Sequence, residues 1–313
     1  MDNLPNGIPL PGNTRLDALY LKDFPKALTA LFHAVQSSCA DFETLEPWYC
    51  HSHALALKFF RHLSTVQYLC TPRIDATTGD ILVDHSSVIS ISRTAYETFL
   101  IFAHIFGPED KVLRRLRYAL WHRAGLMERA KYAAPRNSDQ VAQLIAEQEA
   151  IRELTIEIDQ SPLFTSIYSL DQRKRMNKGD WSGVHKIKIL AEQAGLHQDH
   201  FQAIYKHSSS HSHSSYISAL QVTQARDLET QRSLATPALG TGLALIAYFL
   251  EIFCKMSLSA ANSLNENEEA RKIFNRWNIQ KSDWTLANAA RAEEAAPTWA
   301  DIVRSRGNLT HGI

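Results

Sequence analysis

The 313-residue chain is 45% hydrophobic and 21% charged, so it has enough apolar material for a large core and is not a disordered polymer. Thirty-three basic residues balance thirty-three acidic ones, which leaves no global field to draw the molecule onto nucleic acid or an anionic membrane; any such binding has to be local. Cys39, Cys50, Cys70 and Cys254 form no C-x-x-C pair, which fits neither a zinc ribbon nor a disulfide framework and reads as reduced thiols in a cytoplasm.

Residues 1–21 open with MDNLPNGIPLPGNTR, which carries an acid and several Pro and Gly where a secretory signal needs a basic start and an apolar run; a mobile arm is expected there. Beyond it apolar residues recur at helical spacing, with little of the alternation a half-buried strand needs, so the expected fold class is all-α. The periodicity predicts helices near 22–38, 47–70, 86–106, 108–132, 138–160, 184–195, 198–222, 235–264 and 266–276. Pro47, Pro108 and Pro237 are placed at helix starts, where a missing amide hydrogen is harmless, and Pro72 ends a helix.

Between Ile74 and Ile81-Leu82-Val83 the turn signal Thr77-Thr78-Gly79-Asp80 predicts a small hairpin or an ordered loop. Ser161 to Gly183 mixes Pro162, the basic cluster Arg173, Lys174, Arg175 and Lys178, and Gly179-Asp180-Trp181-Ser182-Gly183, and is expected as a linker or exposed loop. Leu239–Met256 is the most apolar stretch, but it includes Gly240, Gly242, Glu251 and Lys255 and falls short of the about 20 residues of a membrane span. A buried central helix and no membrane are expected. The predicted organisation is an arm (1–21), an N-terminal helical pair with its connecting loop (22–85), a main bundle (86–276) and a C-terminal extension (277–313).

On the helix from Ser86 to Phe106, Ser90, Arg93, Glu97 and His104 fall on one stripe of an otherwise apolar cylinder. Arg93 and Glu97 can be a surface i,i+4 pair worth about 0.2–0.5 kcal/mol. Alternatively they form a polar row facing a site, because an ionised pair on a core helix is costly unless fully partnered.

The next helix carries Arg114, Arg115, Arg117, His122, Arg123 and Arg129 over a ridge of Leu113, Leu116, Leu120 and Met127. Arg115 and Arg117 both precede His122 at the R-x(4–6)-H spacing of HEPN-type ribonucleases. A seven-residue step returns to within about 20° on a helix and a five-residue step departs by about 140°, so only Arg115 shares the face of His122. Such a pair can move a proton at a ribose 2′-hydroxyl and hold the scissile phosphate. A solvated basic face is the competing reading.

From His197 to His213, helical geometry gathers His197, His200, His207 and His211 on one face and points His213 elsewhere. His207 and His211 have the i,i+4 spacing that lets two imidazoles reach one metal, so a divalent metal is the one cofactor the sequence raises. No third ligand is identifiable, and the serines suit close helix packing equally well.

Arg93-x-x-x-Glu97, the Arg-rich helix after it, Lys178-Gly-Asp-Trp181 and Tyr205-x-x-x-Ser209-x-His211 together resemble an uncharacterised bacterial family of helical proteins, over roughly residues 86–225. Members are similar to HEPN-like bundles. The resemblance implies a HEPN-like core with an added N-terminal helical pair, RNA as a partner, a homodimer with paired sites, and a role in RNA cleavage, phage defence or toxin action. In that comparison Tyr205 or Lys206 takes the place of the arginine ahead of His211, a departure from active ribonucleases, because lysine lacks the bidentate fork.

Three function classes follow. The first is a HEPN-like RNA endonuclease with His211, His122, Arg115, Arg93 and Glu97 as reacting or positioning groups and Lys206, Tyr205 and Arg117 binding substrate. The second is a non-catalytic helical interaction module. The third is a metal-dependent hydrolase built on the histidines of residues 197–211.

Overall fold

The computed structural model describes residues 14–41, 46–132, 134–183, 186–279 and 282–283. Among them the chain is all-α, with thirteen α-helices, two 3-10 turns and one hairpin of two-residue strands. The helices are α1 (Thr14–Ser37), α2 (Cys50–Cys70), α3 (His85–Phe106), α4 (Lys111–Tyr132), α5 (Ser138–Gln160), α6 (Pro162–Ile167) and α7 (Leu170–Met176). After them come α8 (Ile187–Gln193), α9 (Gln198–Ser212), α10 (Tyr216–Gln224), α11 (Leu228–Met256), α12 (Leu258–Glu266) and α13 (Glu268–Trp277). The hairpin joins β1 (Arg73–Ile74) to β2 (Ile81–Leu82) with Ile74 opposite Ile81, and the Asp75 carboxylate accepts the Thr77 and Thr78 amides to fix its turn.

Two compact units divide the chain, one made of Met1–Phe99 with Gly195–Ile313 and the other of Leu100–Ala194. In the first, α11 is the central helix, packed against α1, α2, α12 and α13. Gly240 and Gly242 permit this. A Cβ at Gly240 would stand 2.6 Å from the Tyr20 ring, and one at Gly242 would stand 2.7 Å from Phe24. Phe249 of α11 stacks on Phe59 of α2 at 4.7 Å, and Phe99 of α3 lies 6.5 Å from the same ring. Each such side chain contributes about 1.5–3 kcal/mol through its removal from water. Asp23, 2% exposed, closes the far side by accepting from Arg276 at 2.5 Å and from the Trp277 indole at 2.9 Å.

The second unit packs α4 on α5 and α6 around Leu116, Leu120, Leu154, Ile158, Phe164 and Met176. Arg123, 3% exposed, is held there by the Met176 carbonyl, Asn177 and Thr155.

Several expectations need correcting. Pro237 lies inside α11, not at its start, because Asp227 caps the helix ten residues earlier by accepting the Thr230 amide at 2.8 Å. The helix expected at 235–264 is two, since the Ser257 hydroxyl accepts the Ala260 amide and starts α12. The helix expected at 198–222 breaks between α9 and α10. The segment Ser161–Gly183, expected as a linker or loop, holds α6, with Pro162 in its first turn, and α7, which opens on a capping box between Ser169 and Gln172. The first helix starts at Thr14, inside the stretch expected as an arm.

At 29 residues α11 is long and apolar enough to cross a membrane, so length does not argue against a span; 61% of its most apolar window is buried in the structure, as a core helix requires. The tail from Arg304 lies outside the described residues, as do residues 1–13.

Candidate functional site

The Arg93 guanidinium leaves α3 and meets one side of α9. Its Nε donates to Glu97 Oε1 at 3.0 Å, Nη2 to the Tyr205 hydroxyl at 2.9 Å, and Nη1 to Ser209 Oγ at 3.4 Å and to His213 Nε2 at 3.1 Å. Tyr205 in turn donates to Glu97 Oε1 at 3.0 Å, closing a triangle of Arg, Tyr and Glu. The cluster is reachable from solvent, with the Arg93 side chain 17% and the Glu97 side chain 36% exposed, and His213 is an exposed residue.

Electrostatics follows from this geometry. Burial works against the Arg93 charge, but Tyr205 and Glu97 more than offset it and hold the guanidinium more firmly protonated than usual. Burial and the Glu97 carboxylate push the Tyr205 phenol above its ordinary value, against the pull of Arg93. Because an arginine only donates, the nitrogen of His213 that faces Arg93 is the acceptor of this hydrogen bond.

His213 reaches Arg93 because α9 stops. Ser214 adopts a left-handed φ of 50°, the Ser215 amide donates to the Ser210 carbonyl at 2.9 Å and the Ser214 amide to the His211 carbonyl at 3.3 Å. This is a Schellman end with serine where glycine is usual. A single helix through residues 198–222, as the period alone predicts, would turn His213 away; Ser212, Ser214 and Ser215, residues that compete for backbone hydrogen bonds, are the signal that marks the break.

A second cluster lies nearby in the same unit. His211 is 5% exposed and has both ring nitrogens engaged, Nδ1 with Ser86 Oγ at 3.1 Å and Nε2 with Gln221 Oε1 at 2.7 Å. His207 and His85 sit with ring centroids 5.2 and 6.2 Å from it. Burial lowers the pKa of all three, and His211 lowers His85 and His207 further. No group of three His, Cys, Asp or Glu residues among the described residues is arranged to hold a metal ion. The expected His207 and His211 pair therefore meets a third histidine but forms no ligand set.

Lys206 is exposed and stands five residues from His211 on an unbroken helix, about 140° around it, so the two do not face one target. In the other unit, Arg115 gives both arms of its fork to Glu157 at 2.5 and 2.6 Å and lies over Tyr118, whose hydroxyl is 3.3 Å from His122 Nδ1. Arg117 points to the His104 carbonyl at 2.9 Å. His104 keeps its place on the stripe of Arg93 and Glu97 along unbroken α3, but it is buried: it is 3% exposed, paired with Gln193 at 3.0 Å, and pushed down to about 4 by burial and then by Arg117.

The model of a family of unknown function, DUF5677, matches residues 52–230, more than half of the chain. The chain belongs to DUF5677. No curated protein and no solved structure matches it. The DUF5677 region holds Arg93, Glu97, Tyr205, Ser209, His213 and the three-histidine cluster, together with Arg115 and His122, and leaves outside it α1 and nearly all of α11.

Proposed function

We propose that this DUF5677 chain is a HEPN-like RNA endonuclease whose reacting groups are His213 and Arg93, acting in a reducing cytoplasm, which its four free cysteines suit. The observation that supports the reading is the hydrogen bond from Arg93 Nη1 to His213 Nε2 at a position open to solvent. A phosphodiester entering there would take over that Nη1 donor through a non-bridging oxygen, leaving the imidazole free to accept a proton. His213 would take the proton of the ribose 2′-hydroxyl, the 2′-oxygen would attack the adjacent phosphorus, and the 5′-oxygen would leave with a proton from water. The products are a 2′,3′-cyclic phosphate and a 5′-hydroxyl. Glu97 and Tyr205 orient the guanidinium; the pairs expected from sequence, Arg115 with His122 and Lys206 with His211, lack an open fork and a shared face respectively.

The test is cleavage of single-stranded RNA in the presence of a chelator. Wild type is expected to cut, and His213→Ala to lose about 100-fold or more with an unchanged circular dichroism spectrum. Absence of cleavage by wild type, or full activity in His213→Ala, defeats the reading.

A second reading has its own support. The Arg93 guanidinium already donates to four side chains, which suits a clamp joining α3 to α9 in a non-catalytic interaction module. In that case Arg93→Ala lowers the melting temperature, and no variant of His213 changes any RNA readout.

A further inference from the structure

In a helix packed on one side, apolar residues form one stripe; α5 has two. Leu154 and Ile158 are buried on the side that packs against α4. Val141, Ile145 and Ile156 are 45%, 63% and 57% exposed, and on a 3.6-residue period they fall within about 60° of one another on a different side. Arg152 lies within that arc and Glu149 beside it, their side chains 69% and 56% exposed and joined at 2.5 Å. Scattered exposed apolar residues need no explanation, but three aligned on one helix face do.

The middle of this stripe, from Ile145 to Ile156, is self-complementary, while Val141 falls opposite Gln160. Reading outward from the point between Ala150 and Ile151, Glu149 is matched by Arg152 and Ile145 by Ile156. Two copies of α5 laid antiparallel about that point therefore set Ile145 against Ile156 twice and Glu149 against Arg152 twice. Beside Ile156 an open hollow of about 630 Å³ is floored by Val112, Leu116, Ala119 and Pro162 and also lined by Lys111, Arg115, Glu153 and Glu157, a recess of a size to receive Ile145 of the second copy.

We propose that the exposed face of α5 is a self-association surface, on which two copies of this chain pair antiparallel about a two-fold axis. Such an interface is isologous: one patch serves both sides, so attraction and charge pairing are each doubled by symmetry. The helix is 23 residues, or about 34 Å, long, and one helix pair of that length lies at the low end of stable interfaces, so the dimer is expected to dissociate in the micromolar range. The inference is independent of the Arg93 site.

Sedimentation equilibrium of the full chain should show a concentration-dependent dimer, and Ile145→Glu should abolish it with an unchanged helical spectrum, because the side chain it replaces is already in solvent. The register has a sharper test. A chain carrying both Glu149→Arg and Arg152→Glu should still dimerise with itself. Labelled with fluorescent donors and acceptors, it should not mix with wild type, because each antiparallel contact then brings like charges together. A wild type that stays monomeric at about 100 μM, a dimer untouched by Ile145→Glu, or free mixing of the swapped and wild-type chains would each overturn the proposal.

Discussion

An imidazole removed from water with no carboxylate beside it resists protonation, and His104 shows how far that goes here. It is 3% exposed, its Nε2 has no hydrogen-bond partner, and its pKa falls from 6.5 to about 4. Since the folded value is the lower one, the neutral ring's contribution is fully present above pH 6.5 and is lost as pH falls toward 4. The gap corresponds to about 3 kcal/mol of acid destabilisation. His104→Asn keeps a donor for Gln193 and removes the titration. Denaturant unfolding between pH 7 and 4 should show a flatter loss in the variant than in wild type, and an equal slope would mean that the ring is not neutral in the fold. At this scale the sequence was partly legible. The Arg93 and Glu97 pair follows from i,i+4 spacing, whereas the burial of His104 follows from α8 and Gln193, which no spacing along α3 reveals.

Helix ends decide what the elements present. The positions of α3, α4 and α5 are legible in apolar periodicity because each is long and flanked by capping or Pro signals, and for α5 the expected bounds coincide with Ser138–Gln160. The short α6 and α7 leave no period to read, because six or seven residues carry too few turns for one to stand out; only their caps mark them. The end of α9 matters most, since it aims His213 at Arg93. Serine at a left-handed φ costs about 1 kcal/mol relative to glycine. Ser214→Gly is therefore expected to raise stability by about 0.5–1 kcal/mol in thermal or urea unfolding while leaving the Arg93 and His213 contact in place. A destabilised variant would show that α9 does not end in this motif.

An all-α fold was legible from composition and period, but the assembly of the units was not. One unit is built from Met1–Phe99 and Gly195–Ile313, with Leu100–Ala194 forming the other between them in sequence, and long-range pairing of that kind leaves no local trace. The consequence bears on what the DUF5677 region is by itself. It ends at residue 230, three residues into Leu228–Met256, so it contains the rings of Phe59 and Phe99 but not Tyr248 and Phe249, which cover them. It also lacks α1, whose Phe24, Leu31 and Val35 are fully buried. At about 1.5–3 kcal/mol for each large side chain, losing even five such partners removes a free energy comparable to the whole stability of an ordinary domain, about 5–15 kcal/mol. A fragment of residues 52–230 should therefore keep helical circular dichroism yet bind a hydrophobic dye and melt without a sharp transition, whereas the full chain melts cooperatively. A fragment that melts cooperatively and excludes the dye would show that the family region has its own core, and that α11 is an addition to it instead of its centre.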